Sequence, residues 1–228
     1  MAHIVTAFEG DLQDLSQRIS AMGDRAGREL SDALQAILTR DGALAEAVIA
    51  EDKLLDLDEA EVERRSIRVI ALRQPVADDL RRPIAAMKIA ANLERMGDLA
   101  KNIAKRSRAI SGNLATAFPI DGLESLGKLV AQRSRAVVAA YVARDLDAAV
   151  EVWAKDAEID EAHETLSRQV LEAIIAGDAE IEPGIHLLFV AKNLERIGDH
   201  ATNIAELIHY EITGMEIEGA RPKSDSLQ

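Results

Sequence analysis

The 228-residue chain has no cysteine, which excludes disulfides, thiolate metal ligands and cysteine nucleophiles. Aromatic residues are only 3% and prolines only five. A core must therefore be assembled from aliphatic side chains, with few points at which a helix is forced to stop. Basic residues are also short: 27 Lys and Arg against 40 Asp and Glu leave a formal charge of -13. That deficit argues against a nucleic-acid partner, since a binder of the phosphate backbone needs a positive surface to displace counterions. It argues equally against docking on an anionic bilayer through a basic face. No apolar run approaches the ~18 residues of a membrane span. The opening MAHIVTAFEGDL has neither the basic nor the apolar region of a secretory signal. The expectation is a cytoplasmic protein with no membrane insertion.

What the chain does have is helical periodicity and a duplication. Leu12, Leu15, Ile19, Met22, Ala26, Leu30 and Ile37 recur at the three-to-four spacing of one long helix. A second helix is expected from about residue 43 to 72, ended by Gln74-Pro75, because the residue before proline disfavours helix. A third runs from about 79 to 110, and the second half repeats the set near 122–144, 146–176 and 183–213. ANLERMGDLAKNIA at 91–104 and KNLERIGDHATNIA at 192–205 agree at ten of fourteen positions, 101 residues apart. That spacing is too long for a solenoid repeat and suits two homologous domains. The fold class is all-α: two tandem three-helix bundles with antiparallel helices, residues 1–112 and 113–228, each expected to fold on its own. The boundary is placed in SGNLATAFPIDG, and the segment after Gly214 reads as a frayed tail.

Carboxylates interrupt faces that begin as packing seams. On the third helix Ile84, Met87, Ala91, Glu94, Asp98 and Asn102 share one stripe, and Ile185, Leu188, Lys192, Glu195, Asp199 and Asn203 repeat it. On the second helix Asp52, Asp56, Glu59 and Glu63 lie between Ile49 and Ile67 on a single stripe. Asp156 and Asp160 hold the equivalent places, with His163 and Ser167 where further acids are expected. Like charges four residues apart repel, so facing acid stripes call for a cation. Oxygen ligands suit magnesium, calcium, manganese or iron, and zinc less exclusively. The bland alternative is a solvated face, with Glu94 and Asp98 paired to Lys101, Arg64 or Arg65. Lys101, Lys105, Arg106 and Arg108 near a helix C-terminus complement its dipole, and Tyr141 and Trp153 read as core or rim.

The paired LER-x-GD-x-x-x-NI segments, RQPVADDLR at 73–81 and the acidic helix before each copy resemble the PhoU family of phosphate-signalling proteins across essentially the whole chain. The resemblance implies two similar three-helix bundles with Glu/Asp-x-x-x-Asp motifs that bind clusters of divalent or trivalent metal. Glu94 with Asp98 and Glu195 with Asp199 match cleanly; Asp52 and Asp56, continued by Glu59, and Asp156 with Asp160 match more loosely. It also implies a non-enzymatic negative regulator of phosphate uptake and starvation signalling, expected as a homodimer. The implied partners are a phosphate ABC-transporter ATPase and a sensor histidine kinase. No Gly-rich anion loop is present for phosphate itself. The rival reading is a carboxylate-bridged di-iron enzyme, for which Glu206-x-x-His209 and Asp160-x-x-His163 offer partial motifs. Neither recurs in the first half, where Lys105 and Arg108 replace Glu206 and His209.

Overall fold

A computed structural model describes residues 2–110 and 118–222 of the chain. Eight helices follow one another: α1 (Ala2–Thr39), α2 (Gly42–Glu51), α3 (Lys53–Arg73), α4 (Asp78–Ile110), α5 (Ile120–Ala143), α6 (Leu146–Ala154), α7 (Asp156–Ala176) and α8 (Ile181–Thr213). The expected boundary between halves, at 112/113, falls among residues 111–117 and so lies outside the described residues.

The corner after the first helix is built alike in both halves. Arg40 takes a left-handed backbone with φ 57°, and Asp41 then caps α2 by accepting from the Leu44 N–H at 3.0 Å. Arg144, with φ 53°, and Asp145, accepting from the Ala148 N–H at 3.0 Å, repeat the arrangement. Asp41→Ala and Asp145→Ala are each expected to lower stability by about 1 kcal/mol, because a first-turn N–H loses its partner. Urea unfolding checks this, and the two losses should add, as the caps belong to separate corners.

One expectation changes. The single helices foreseen over 43–72 and 146–176 are each two, jointed at Asp52 and at Lys155. At both joints the hydrogen bonding tightens to a three-residue step: Leu55 N–H donates to Asp52 O at 3.0 Å, and Glu158 N–H to Lys155 O at 3.3 Å. Neither joint carries glycine or proline, so no local residue signals it.

The two tandem bundles pack tightly on each other. The α4–α8 pairing is the most extensive contact in the molecule, and α1 also packs along α5. Both pairs run antiparallel about a pseudo-twofold axis. A Cβ added to Gly23 would lie 2.7 Å from Val138, and one added to Gly127 would lie 2.5 Å from Leu34, the same contact made twice by equivalent residues. On α4, Asn92 meets His200 at 2.9 Å and Arg106 meets His186 at 3.1 Å, both on α8. By helical spacing Ala85, Ile89, Met96, Leu99 and Ile103 share that face, and all five are buried. One aliphatic core thus runs through both halves. No described helix is long and apolar enough to cross a membrane.

Candidate functional site

The glycine of each LER-x-GD segment is explained by close approach. A Cβ on Gly97 would collide with the Leu55 side chain and stand 3.0 Å from Glu29 Oε2. A Cβ on Gly198 would lie 2.7 Å from Ile159 Cδ1. The bare backbone lets α3 close on α4, and α7 on α8, so that the acids at the helical joints face the acids of the long helices.

In the first half Asp52 is buried at the α2–α3 joint. Lys101 Nζ lies 2.5 Å from Asp52 Oδ2 and 3.2 Å from Asp98 Oδ1, clamping the joint to α4. The hydrogen bond to Asp52 raises the lysine's proton affinity further. Arg95 pairs with Glu94 and Asp98, each at 3.3 Å. Burial, with the charges of Asp98, Glu59 and Asp56 nearby, pushes the Glu94 carboxyl up to about 7 despite Arg95. Beneath this cluster, α1 contributes Glu29, only 2% exposed, with no hydrogen-bond partner for either carboxylate oxygen. Burial and the neighbouring Asp52 carry its carboxyl to about 7 as well. Asp56 and Glu63 are exposed and Glu59 is half-buried.

The second half has the same frame and different cations. Asp156, at the start of α7, is 3% exposed and accepts from Thr202 Oγ1 at 2.7 Å. Arg221, beyond the end of α8, donates from Nε to Asp156 Oδ2 at 2.6 Å and from Nη2 to Asp156 Oδ1 at 3.0 Å. The same Nη2 reaches Asp199 Oδ1 at 2.5 Å, and Nη1 reaches Asn203 Oδ1 at 3.5 Å. Thr202 stands where the first half has Lys101, so the tail's guanidinium supplies the charge that α8 lacks. Glu195 pairs with Lys192 at 2.7 Å. Asp160 and His163 are half-buried, and burial holds the His163 ring below its ordinary range. Arg133 of α5, buried and paired with Glu158, occupies the place equivalent to Glu29.

The joints therefore bring Asp52 to Asp98 and Asp156 to Asp199, while Asp56 stays at the surface. Among the described residues no three acidic or histidine side chains stand in the arrangement of a preformed metal site; Lys101 and Arg221 hold the central positions. The donor chemistry nevertheless fits a hard cation. Glu29 presents two buried acceptors without a donor, an arrangement that calls for a bound partner. The di-iron ligands do not converge: Glu206 accepts from Trp153 Nε1 at 3.1 Å, and His209 Nδ1 meets the Met215 carbonyl at 2.9 Å.

Two participants, Glu29 and Arg221, escape the sequence reading, and the pairing of Lys101 with Asp98 agrees with it. Glu29 lies on a helix where neither periodicity nor repetition marks it, because its counterpart is an arginine. What the sequence does not mark is the second bond of Lys101, to Asp52. Arg221 sits in the segment read as frayed, which this contact instead seats on the second cluster. The remaining tail, 223–228, lies outside the described residues.

Comparison with known proteins finds the PhoU domain family over residues 19–107 and 123–208. The phosphate-specific transport system accessory protein PhoU homolog of Caulobacter vibrioides is 46% identical over 225 residues, covering 99% of this chain and 98% of that protein. Its counterpart from Rhizobium meliloti is 43% identical, covering 98% and 94%. Among solved structures, PhoU from Pseudomonas aeruginosa superposes with a TM-score of 0.86 at 29% identity, covering 91% of this chain and all of that one. The phosphate transport system regulatory protein PhoU from Streptococcus pneumoniae gives 0.86 at 28% identity, with 93% and 100% covered.

Proposed function

This chain is a member of the PhoU family, and we propose that it restrains phosphate uptake and phosphate-starvation signalling by binding protein partners in the cytoplasm. The partners are the ATPase of a phosphate ABC transporter and a sensor histidine kinase, and the assembly is a homodimer. The observation that carries this reading is full-length similarity to accessory proteins of phosphate-specific transport. Those relatives and the structural neighbours are named as accessory or regulatory proteins, which favours docking over turnover as the mode of action.

Surface chemistry supports docking. Exposed aliphatic side chains gather at the two hairpin turns, Leu72 and Val76 between α3 and α4, Ile175 and Ile181 between α7 and α8. Because the halves are related by a twofold, these turns lie at opposite ends of the molecule, and each end offers an apolar contact of its own.

In the same reading, divalent or trivalent cations (iron, manganese, magnesium or zinc) bind on the carboxylate stripes. Asp52, Asp56, Glu59, Glu94 and Asp98 serve the first half, and Asp156, Asp160, Glu195 and Asp199 the second. A bound cation supplies charge neutralisation between the jointed helices and the long helices. The side chains hold the joint closed, and its closure sets the surface that a partner meets.

Deleting the gene from its host is expected to switch on the phosphate-starvation response in phosphate-rich medium, since a restraining contact is lost. A deletion strain whose response stays silent there, and is restored to nothing new by complementation, overturns the regulatory reading.

A further inference from the structure

The two carboxylate clusters have the same frame but opposite residues at decisive places, and we propose that they are no longer equivalent. The first is the divalent-cation site, with Glu29 of α1 as an additional ligand; the second carries its own cation, Arg221. This rests on the metal-binding part of the proposed function and narrows it to one half.

The residual charge separates the two. In the first cluster Lys101 bridges Asp52 and Asp98, Arg95 pairs with Asp98 from the exposed side, and Glu29 beside Asp52 is bonded to no cation. Glu29 is left with two buried oxygens and nothing to receive. Lysine is a point charge on a flexible four-carbon stem, and Lys101 is partly exposed, so it can turn outward when a stronger cation enters. In the second cluster Asp156 and Asp199 are both met by one planar guanidinium, which forks across both oxygens of Asp156. Such a fork is geometrically specific and hard to displace. Arg133, in the place of Glu29, adds a positive charge where the first half has a negative one.

Seating Arg221 also shapes the surface. The segment from Gly214 onward closes one side of a cavity of about 1130 Å³ between α4 and α8, lined among others by Lys88, Trp153, Asn203, Tyr210, Ile217 and Arg221. Trp153 is the sole tryptophan, so this wall reports on itself.

Manganese(II) alone, added to metal-stripped full-length protein at pH 7.5, tests the assignment, with bound ion counted by electron paramagnetic resonance and Trp153 fluorescence read in parallel. Manganese is paramagnetic and quenches a nearby indole. The unaltered chain should bind in one class without quenching Trp153. Glu29→Gln, close to isosteric, should weaken that class about tenfold or more, the scale of a lost ligand or its close support. Arg221→Ala should leave the first class intact, add a second and bring quenching with it. Equal binding to both halves of the unaltered chain, or indifference to both substitutions, overturns the inequivalence while leaving metal binding in place. No manganese bound by any of the three proteins overturns the metal reading itself, and this inference with it.

Discussion

A chain ending at residue 110 is expected to lose the cooperative melt of the full protein. The reason is the face of α4 that meets α8: Ile89, Met96, Leu99 and Ile103 are buried there with Ala85, and Asn92 reaches His200 from the same face. Four large apolar side chains, at roughly 1.5–3 kcal/mol each, amount to most of a small domain's margin of ~5–15 kcal/mol. The same truncation strips Gly23 and Leu34 of their neighbours on α5. Thermal unfolding followed by circular dichroism, with size-exclusion chromatography beside it, measures the loss. The truncated chain should either self-associate through the bared face or melt broadly and early. A monomer with a sharp transition close to that of the whole chain would restore the autonomy that sequence repetition alone suggests.

The second large effect concerns Glu29. Its carboxyl titrates at 4.5 when exposed and at about 7 in the fold. Between those values the unfolded chain has released the proton and the folded chain still holds it, so metal-free stability falls as pH rises through this window. Glu29→Gln removes the titration. It should leave stability near pH 4.5 unchanged and raise it at pH 8 by up to about 3 kcal/mol, the equivalent of the shift. Glu94, also raised to about 7 chiefly by burial, keeps a similar slope in the variant, so the pH dependence should shrink rather than vanish. Urea denaturation of metal-stripped protein across pH 4.5 to 8 decides it. Parallel curves for the two proteins would mean that Glu29 finds a partner in solution.

These two results mark where sequence reading succeeds and where it stops. The ten matched positions around Glu94 and Glu195 carry the duplication, the all-helical class and the register of α4 and α8, because repetition and helical period are local properties of the chain. They also single out Asp98 and Asp199, which the structure sets against Asp52 and Asp156. Glu29 was invisible for a physical reason. An acid becomes notable through the helices that bury it, and α3 and α4 close over Glu29 only because Gly97 has no side chain. The joint at Asp52 was equally hidden, since a three-residue step in hydrogen bonding needs no unusual residue. Arg221 follows a stretch with turn composition, and only the unsatisfied charge of Asp156 and Asp199 gives it a place. The shared core was missed because periodicity shows that α4 is apolar on a broad face without telling which helix covers it.

The twofold relation between the halves has a consequence for how such a molecule can change. Two identical subunits meeting along the same faces would share every residue, so a glutamate at position 29 would recur at the symmetric place, and any substitution would strike both clusters together. Joined in one chain, the halves mutate separately. Glu29 corresponds to Arg133 and Lys101 to Thr202, and among the described residues no arginine of the first half stands where Arg221 does. Tandem linkage thus converts an obligatory symmetry into a freedom: one half can keep an old chemistry while its twin is rebuilt, with the helix pairing between them held constant.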